Sequence, residues 1–315
     1  MARFSCRLRL RVAGSLPFVS RSRLSPPCRR PSIRAVSFRS THMGKSFYLS
    51  GVAAALLLVA CQPVQTTSGG AVGVERKQYM FSMLSTEQVN QMYAQSYQQT
   101  LSEASEKGVL DTSSQNARRL DEVARRLIAK APLFRADAAQ WQWEVALIDS
   151  DELNASCGPG GKIIFYNGLI EKLRLTDDEI AAVMGHEIAH ALREHGREAL
   201  SKAYAVEMAK QGASALLGVG EASMAMADVA VQYGMTLPNS RSNESEADLI
   251  GLELAARAGY DPNAALTLWQ KMSQAESNGT PQFMSTHPSP GNRTAALEAA
   301  IPKVMPLYRQ AKGGS

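Results

Sequence analysis

The chain has 315 residues and a formal net charge of +5, but this positive charge comes from its beginning. The first 42 residues hold ten Arg and no Asp or Glu, which leaves 24 basic against 29 acidic residues, or a formal charge of −5, in the remainder. This balance removes the electrostatic basis for nucleic-acid binding, so we expect no nucleic-acid partner. The remaining length suffices for one domain with a hydrophobic core.

The beginning of the chain has two interpretations. Residues 1–42 are rich in Arg and Ser and lack acids, which is typical of a mitochondrial transit peptide. Alternatively, translation begins at Met43, residues 1–42 are a non-native leader, and residues 43–60 form a bacterial lipoprotein signal that ends in LVAC. We favour the second interpretation, because a transit peptide gives no reason for Cys61 at that position. Cys61 would then carry a lipid anchor, and Gln62, which is not Asp, indicates the outer membrane.

Residues 61–77 are rich in Gln, Thr, Gly and Val, and we expect them to form a tether before a single domain over 78–315. If the signal is removed and Cys61 is modified, Cys157 is alone and no intrachain disulfide is expected. Cys157 lies in a strand-like segment without a matched base, which favours a small packed residue over a nucleophile.

The first half of the domain has the patterns of helices followed by strands. Helices are predicted over most of 86–133, and the segment 117–128 is amphipathic with an Arg-rich, solvated face. The segments 143–148 and 163–166 have the composition of strands. Together these patterns predict a mixed domain that is mainly helical.

The pentapeptide HEIAH contains the most informative residues of the chain. Thr176 and Glu179 form a capping box that starts a helix, so His186 and His190 share one helix face and can point at one ion. Glu187 lies one step round the helix, where it can hold a water molecule bound to that ion. HExxH on a helix is the pattern of zinc peptidases, although a chance match or two ordinary surface or core histidines would also give it.

The segment 203–235 is rich in Ala, Met and Gly. Charged residues divide it into pieces shorter than the roughly 18 apolar residues that a membrane span needs. We therefore expect a pair of packed helices here. Further helices are predicted after Pro262 and after Pro290.

A second candidate ligand segment begins near Asn243. Glu244 and Asp248 are four residues apart, and Asn243 with Glu246 is a plausible helix cap. One carboxylate would bind zinc as a third protein ligand, and the other could accept the second N–H of a ligand histidine. The alternative is a solvated acidic first turn, which the helix dipole favours.

Three further residues have more than one interpretation. His287, in a Pro-bordered loop, could stabilise the oxyanion, could swing onto the open zinc position, or could be an ordinary surface histidine. Arg293 could aid the oxyanion or hold a carboxylate. His195 lies off the predicted ligand face, so we expect a structural role for it.

Four segments resemble those of a known family and follow one another in the same order: NASCGPGGKII at 154–164, HEIAH, LPNSRSNE at 237–244 and THPSPGNR at 286–293. They resemble the gluzincin-type zinc metallopeptidases related to the CAAX prenyl endopeptidase, the HtpX and BepA family, and most closely its soluble lipoprotein branch. The resemblance covers roughly 154–293. Gly158 is a small departure, because the family usually has an apolar residue there.

The resemblance implies an α+β fold, a mainly helical zincin-like metallopeptidase domain with a small β-sheet beside the HExxH helix. It implies one zinc ion per subunit, bound by His186, His190 and Glu244. It also implies that Glu187 is the general base and that Asp248 is the hydrogen-bond partner of a ligand histidine.

The resemblance further implies that a substrate lies extended along an edge strand beside the metal. We expect the strand around Ile163 and Ile164, which follows Gly160 and Gly161, to accept a substrate through main-chain hydrogen bonds. The alternative is an ordinary strand of the sheet.

Three functions are compatible with these patterns. The leading hypothesis is an endopeptidase that degrades misfolded or unassembled envelope proteins from the periplasmic face of the outer membrane. The second is an assembly factor or chaperone for outer-membrane proteins, with low protease activity and the outer-membrane assembly machinery as its partner. The third is a quality-control protease imported into mitochondria. An intact set of ligands and base favours an enzyme, because binding alone does not require Glu187.

Overall fold

A computed structural model describes residues 61–82, 84–217, 239–276, 282–288 and 291–313. The predictions for 1–42 and 43–60, and the second half of the predicted helix pair in 203–235, lie outside the described residues. The strands are β1 (Cys61–Val64), β2 (Gln78–Phe81), β3 (Leu110–Asp111), β4 (Glu144–Ile148), β5 (Ala155–Gly158) and β6 (Lys162–Tyr166). The helices are α1 (Thr86–Glu106), α2 (Gln115–Ile128), α3 (Asn167–Lys172), α4 (Asp177–Leu192), α5 (His195–Leu217), α6 (Arg241–Arg257), α7 (Ala264–Glu276), α8 (Gln282–Thr286) and α9 (Arg293–Ala311).

The helices and strands predicted within the described residues are present, with some boundaries shifted by a few residues. Helix α4 begins with the predicted capping box, in which Thr176 Oγ1 accepts the Glu179 N–H at 3.3 Å and Glu179 accepts the Thr176 N–H at 2.8 Å. Helix α6 begins earlier than predicted, because the hydroxyl of Ser240 accepts the Asn243 N–H at 3.2 Å and Ser240 is the cap instead of Asn243. Glu244 therefore lies in the first turn of α6.

A four-stranded sheet has the order β3-β4-β6-β5, with β4 and β6 parallel and the other pairs antiparallel. The turn between β5 and β6 has Pro159 and Gly160 at its centre, and the Gly161 N–H donates to the Gly158 carbonyl at 3.1 Å. Gly160 has a φ of +77°, the left-handed conformation that this kind of turn requires of its third residue. The turn pairs β5 with β6 alone, and the strand order leaves β5 at an edge of the sheet.

Helix α4 lies in the main hydrophobic core and packs along α6. The two helices cross at Gly185 and Gly251, where the backbones touch. A Cβ atom on Gly251 would lie 2.6 Å from the His186 backbone nitrogen, and one on Gly185 would lie 2.8 Å from the Gly251 carbonyl oxygen. Only glycine allows this close approach, which brings the HExxH segment beside the first turns of α6.

The segment 61–77 differs from the expected tether, because it folds onto the domain. Strand β1 pairs with β2 in a two-stranded sheet, and the Ser68 N–H donates to the Phe134 carbonyl at 2.8 Å. The buried carboxylate of Glu253 accepts the Val72 N–H at 3.0 Å. Polar groups of this segment thus form hydrogen bonds with residues of the domain. The composition of 61–77 does not reveal these partners.

Among the helices that the structure describes, we find none whose length and apolar character would let it cross a bilayer.

Candidate metal centre

Four buried groups from three segments of the chain converge at one point. His186 and His190 of α4, Glu244 of α6 and His287 after α8 each direct a ligand atom to it, and these atoms lie within 4.8 Å of one another. The Nε2 atoms of the two α4 histidines are 3.0 Å apart, and the Glu244 carboxylate lies 3.4 Å from His186 Nε2 and 3.3 Å from His190 Nε2. The predicted zinc ligands are therefore adjacent.

The donor set fits a divalent cation. Two imidazole nitrogens and a carboxylate are a standard set of protein ligands for zinc. Glu187 Oε1 and Glu244 Oε1 are buried oxygens without a hydrogen-bond partner in the described part of the chain. Unpaired buried carboxylate oxygens are costly, and a cation between them and the imidazoles would offset that cost.

Asp248 and Arg293 flank the His186 side of the cluster. Asp248 Oδ1 lies 3.0 Å from His186 Nδ1, so it can accept that N–H and leave the Nε2 lone pair directed at Glu244. Arg293 donates to Asp248 at 2.6 Å and to Glu244 at 2.7 Å, and its guanidinium carbon lies 3.7 Å from the centre of the Trp269 ring. Of the two predicted roles of Arg293, its contacts match that of holding a carboxylate.

His195 is more closely tied to the cluster than its sequence position indicates. Helix α4 ends at Leu192, and Glu194 has a φ of 51°, so the chain turns back before α5 begins at His195. His195 Nδ1 then lies 2.8 Å from His190 Nδ1, and its Nε2 lies 3.2 Å from Glu246. The helical spacing does not reveal this contact, because His195 begins a second helix and does not lie on a continuation of α4.

The base candidate Glu187 lies between the sheet and His287. The backbone N–H of Cys157 in β5 hydrogen-bonds to its carboxylate, and His287 Nε2 lies 3.3 Å from its Oε1. Burial raises the pKa of Glu187 to about 8, and a cation at the cluster would favour the ionised form instead. His287 Nδ1 lies 3.0 Å from the Phe283 carbonyl, to which it can donate, so its Nε2 lone pair faces the cluster.

Cys157 is a buried residue of β5, as expected for a packed side chain. Burial raises the pKa of its thiol well above the usual value, and the charge of Glu187 acts in the same direction. A thiol in this environment stays protonated at neutral pH, which does not suit a nucleophile.

A cleft of about 400 Å³ opens beside Glu187 and His190, with Tyr93 and Tyr97 of α1 on one wall and strand β5 on another. The expectation that Ile163 and Ile164 form a substrate-binding edge is wrong, because β6 is paired with β4 on one side and with β5 on the other. Gly160 and Gly161 lie in the turn that precedes β6.

The edge strand at the cleft is β5. Tyr166 N–H donates to the Asn154 carbonyl at 3.2 Å, and hydrogen-bonded pairs alternate with non-hydrogen-bonded pairs in an antiparallel ladder. Ala155 and Cys157 therefore direct their backbone polar groups away from β6. Cys157 directs its N–H to Glu187, so this edge runs directly beside the cluster.

The fold and the metal centre are those of a zincin-like metallopeptidase. The sequence pattern of peptidase family M48 matches residues 114–301, and the chain belongs to this family of zinc metallopeptidases. The match includes all four residues of the cluster.

The chain is similar to two curated groups of M48 relatives. It is 32% identical to the mitochondrial metalloendopeptidase OMA1 of Schizosaccharomyces pombe over 225 residues, which are 71% of this chain and 64% of that protein. The Arabidopsis thaliana protein of the same name is 32% identical over 61% of this chain and 39% of its own length. The beta-barrel assembly-enhancing protease of Escherichia coli is 31% identical over 56% of this chain and 38% of its own length. The matched region thus spans less than two thirds of each of these relatives.

Proposed function

We propose that this protein is a zinc-dependent endopeptidase in which His186, His190 and Glu244 bind one zinc ion. The observation that carries the proposal is the convergence of two buried Nε2 atoms and one buried carboxylate, all within 3.4 Å of one another. His287 lies close enough to be a further ligand, but its Nε2 also lies 3.3 Å from Glu187. Zinc catalysis commonly uses three protein ligands and one open position.

Glu187 is the general base of the proposed reaction. When bound, zinc lowers the pKa of a water molecule and polarises the peptide carbonyl. Glu187 Oε1 faces the cluster without a hydrogen-bond partner among the described residues, so it is free to accept the proton of the attacking water. The same oxygen then returns the proton to the leaving amine. Asp248 holds the His186 ring in the required tautomer throughout.

The substrate binds as an added strand on β5. The outward carbonyl groups of Ala155 and Cys157 can accept N–H groups of an extended peptide, since their own N–H groups bond to Asn154 Oδ1 and to Glu187, and the cleft on that side admits such a peptide. Because main-chain hydrogen bonds supply most of this binding, flexible or unfolded chains are preferred over folded proteins. This supports misfolded or unassembled proteins as the substrate class.

Cleavage of an unfolded protein tests the proposal. The full chain should degrade casein, lose this activity on treatment with a chelator and regain it when zinc is added. Glu187→Gln should bind zinc as tightly as the wild type and cleave no casein, because the amide cannot accept the proton. Activity that persists in the chelator, or in a zinc-loaded Glu187→Gln protein, would contradict the mechanism.

His287 has two proposed roles that one variant separates. If its Nε2 takes up a proton and donates it in a hydrogen bond to the oxyanion, His287→Ala should slow casein cleavage. If it occupies the open metal position in a resting state, the same variant should accelerate cleavage, because the water would no longer be displaced. An unchanged rate would exclude both roles.

We further propose that the protein acts in the bacterial envelope as a lipoprotein of the outer membrane, anchored at Cys61. The segment 43–60 and the LVAC sequence support this location, as does similarity to an Escherichia coli protease named for its role in β-barrel assembly. Since β1 begins at Cys61, such an anchor would hold the folded domain directly at the membrane surface.

The mature amino terminus separates this location from the mitochondrial alternative. Similarity to mitochondrial metalloendopeptidases and the Arg-rich leader support import into mitochondria. Mass spectrometry should find a lipid-modified Cys61 as the first residue of the mature protein. An unmodified terminus at another position would favour the mitochondrial alternative.

An assembly factor with low protease activity is the second candidate function. The similarity to the beta-barrel assembly-enhancing protease favours it. If Glu187→Gln supports outer-membrane protein assembly as well as the wild type does, binding rather than cleavage is the main activity.

A further inference from the structure

His190 lies between the metal centre and a second buried imidazole. On one side its Nε2 is 3.0 Å from His186 Nε2 and 3.3 Å from Glu244. On the other side its Nδ1 is 2.8 Å from His195 Nδ1. The two Nε2 atoms face the position proposed for the zinc ion, whereas the two Nδ1 atoms must share one proton, because two lone pairs or two N–H groups would repel each other.

The carboxylate of Glu246 decides which ring carries that proton. Its Oε2 lies 3.2 Å from His195 Nε2, and a carboxylate accepts, so this nitrogen of His195 carries a proton. A neutral His195 then has its lone pair on Nδ1 and accepts the N–H from His190 Nδ1. His190 is left with its Nε2 lone pair directed at the metal centre.

Two arginines hold Glu246 in place, Arg193, which is fully buried, and Arg76, which is partly exposed. Arg193 donates to it at 2.9 Å and 2.7 Å, and Arg76 donates to it as well. Arg76 precedes β2, so the segment before the helical domain contributes to this arrangement.

We propose that His195 is a positioning residue, which accepts the His190 Nδ1–H and is itself oriented by Glu246, so that His190 presents Nε2 to zinc. The inference rests on the proposed zinc site, but it assigns a role to residues outside the ligand set. His186 has a carboxylate, Asp248, as its direct partner, whereas His190 reaches its carboxylate through a second histidine.

Zinc affinity of the full chain, measured by chelator competition, tests the role without relying on activity. His195→Leu leaves the His190 N–H without an acceptor and should weaken zinc binding by about 10–100-fold, the usual cost of losing an outer hydrogen-bond partner. His195→Asn places an amide oxygen where Nδ1 lay and should recover most of the affinity. The cobalt-substituted His195→Leu protein should show shifted absorption bands, and the Asn variant should resemble the wild type.

Two comparisons separate positioning from folding. Ser201→Ala removes a buried hydrogen bond on the same helix, in which the Phe81 N–H donates to the Ser201 hydroxyl at 3.0 Å, and it should leave zinc affinity unchanged. If His195→Leu does not fold, His195→Gln replaces it, because its longer side chain keeps the bond to Glu246 and loses the one to His190. The Asn variant should bind zinc more tightly than the Gln variant.

Equal zinc affinity of the folded His195→Leu protein and the wild type would overturn the inference, as would a Gln variant that binds as tightly as the Asn variant. Both results would leave the proposed function intact, provided that the wild type binds zinc. A wild-type chain that binds no zinc would overturn the proposed function together with this inference.

Discussion

Helices α4 and α6 supply the metal centre with side chains, whereas strand β5 supplies it with backbone groups. The helices cross at Gly185 and Gly251 with no room for a methyl group, so their relative position is tightly determined. Strand β5 lies at an edge and offers the outward backbone groups of alternate residues. We therefore expect changes on the helical side to act on zinc binding and stability, and changes at the edge to act on substrate binding.

The largest effect is expected at Arg293, which holds two carboxylates on the helical side. Arg293→Met leaves Glu244 and Asp248 without their buried counter-charge, which costs about 3–5 kcal/mol of unfolding free energy in the metal-free protein. The loss should be smaller in the zinc-loaded protein, because the ion compensates Glu244. Denaturant unfolding of both forms measures the difference.

Arg125→Met is the matched control, since Arg125 forms an exposed ion pair with Glu122 and should contribute about 0–1 kcal/mol. An equal loss in the two forms of Arg293→Met would mean that Arg293 acts through Asp248 and Trp269 and not through Glu244.

The next largest effect is expected where helices α4 and α6 cross. Gly251→Ala places a methyl group 2.6 Å from the His186 backbone nitrogen, so the helices must separate. We expect the unfolding free energy to fall by about 1–3 kcal/mol and zinc binding to weaken. Gly291→Ala adds a methyl group that meets no atom of the described residues within 4 Å, and it should change neither quantity. Full zinc affinity in Gly251→Ala would show that the crossing does not set the ligand geometry.

The removal of either of two helix caps should cost the same unfolding free energy, but the two substitutions should affect zinc binding differently. Thr176→Ala and Ser240→Ala each remove a capping hydrogen bond, which costs about 1 kcal/mol of unfolding free energy. Only Ser240→Ala should weaken zinc binding, because Glu244 lies in the first turn of α6, whereas His186 lies several turns after Thr176. Equal zinc affinities in the two variants would show that the Ser240 cap does not determine the position of Glu244.

The smallest effect is expected at the edge strand. N-methylation of successive amides in a cleaved peptide should raise KM at every second position, because alternate N–H groups of an added strand pair with β5. The loss of one hydrogen bond, which contributes about 0.5–1.5 kcal/mol, corresponds to a rise in KM of a few-fold. A KM that does not alternate along the peptide would argue against strand addition.

The ligand residues of the two helices could be predicted from the sequence, because each pair depends only on residues close to it in the chain. The spacing of His186 and His190, and of Glu244 and Asp248, places each pair on one helix face without knowledge of the rest of the fold. The capping box of Thr176 and Glu179 is also local, and it formed as predicted.

The sheet side and the surroundings of His190 depend on contacts between distant residues. Which strand is the edge follows from pairing among β4, β5 and β6, and no pattern within β6 reveals that both its sides are occupied. His195 meets His190 because the chain turns at Glu194, a residue that rarely adopts a positive φ. The folding of 61–77 onto the domain depends on partners such as Phe134 and Glu253, which lie far away in sequence.

The central claim is that side chains of two distant helices bind one zinc ion. Zinc content and zinc K-edge absorption of the purified full chain test it most directly. We predict one zinc ion per chain with two imidazole ligands and one carboxylate, and a Glu244→Ala variant that loses more than the roughly 10–100-fold in affinity that an outer partner costs. A chain that binds no zinc, or a Glu244→Ala protein with undiminished affinity, would contradict the account.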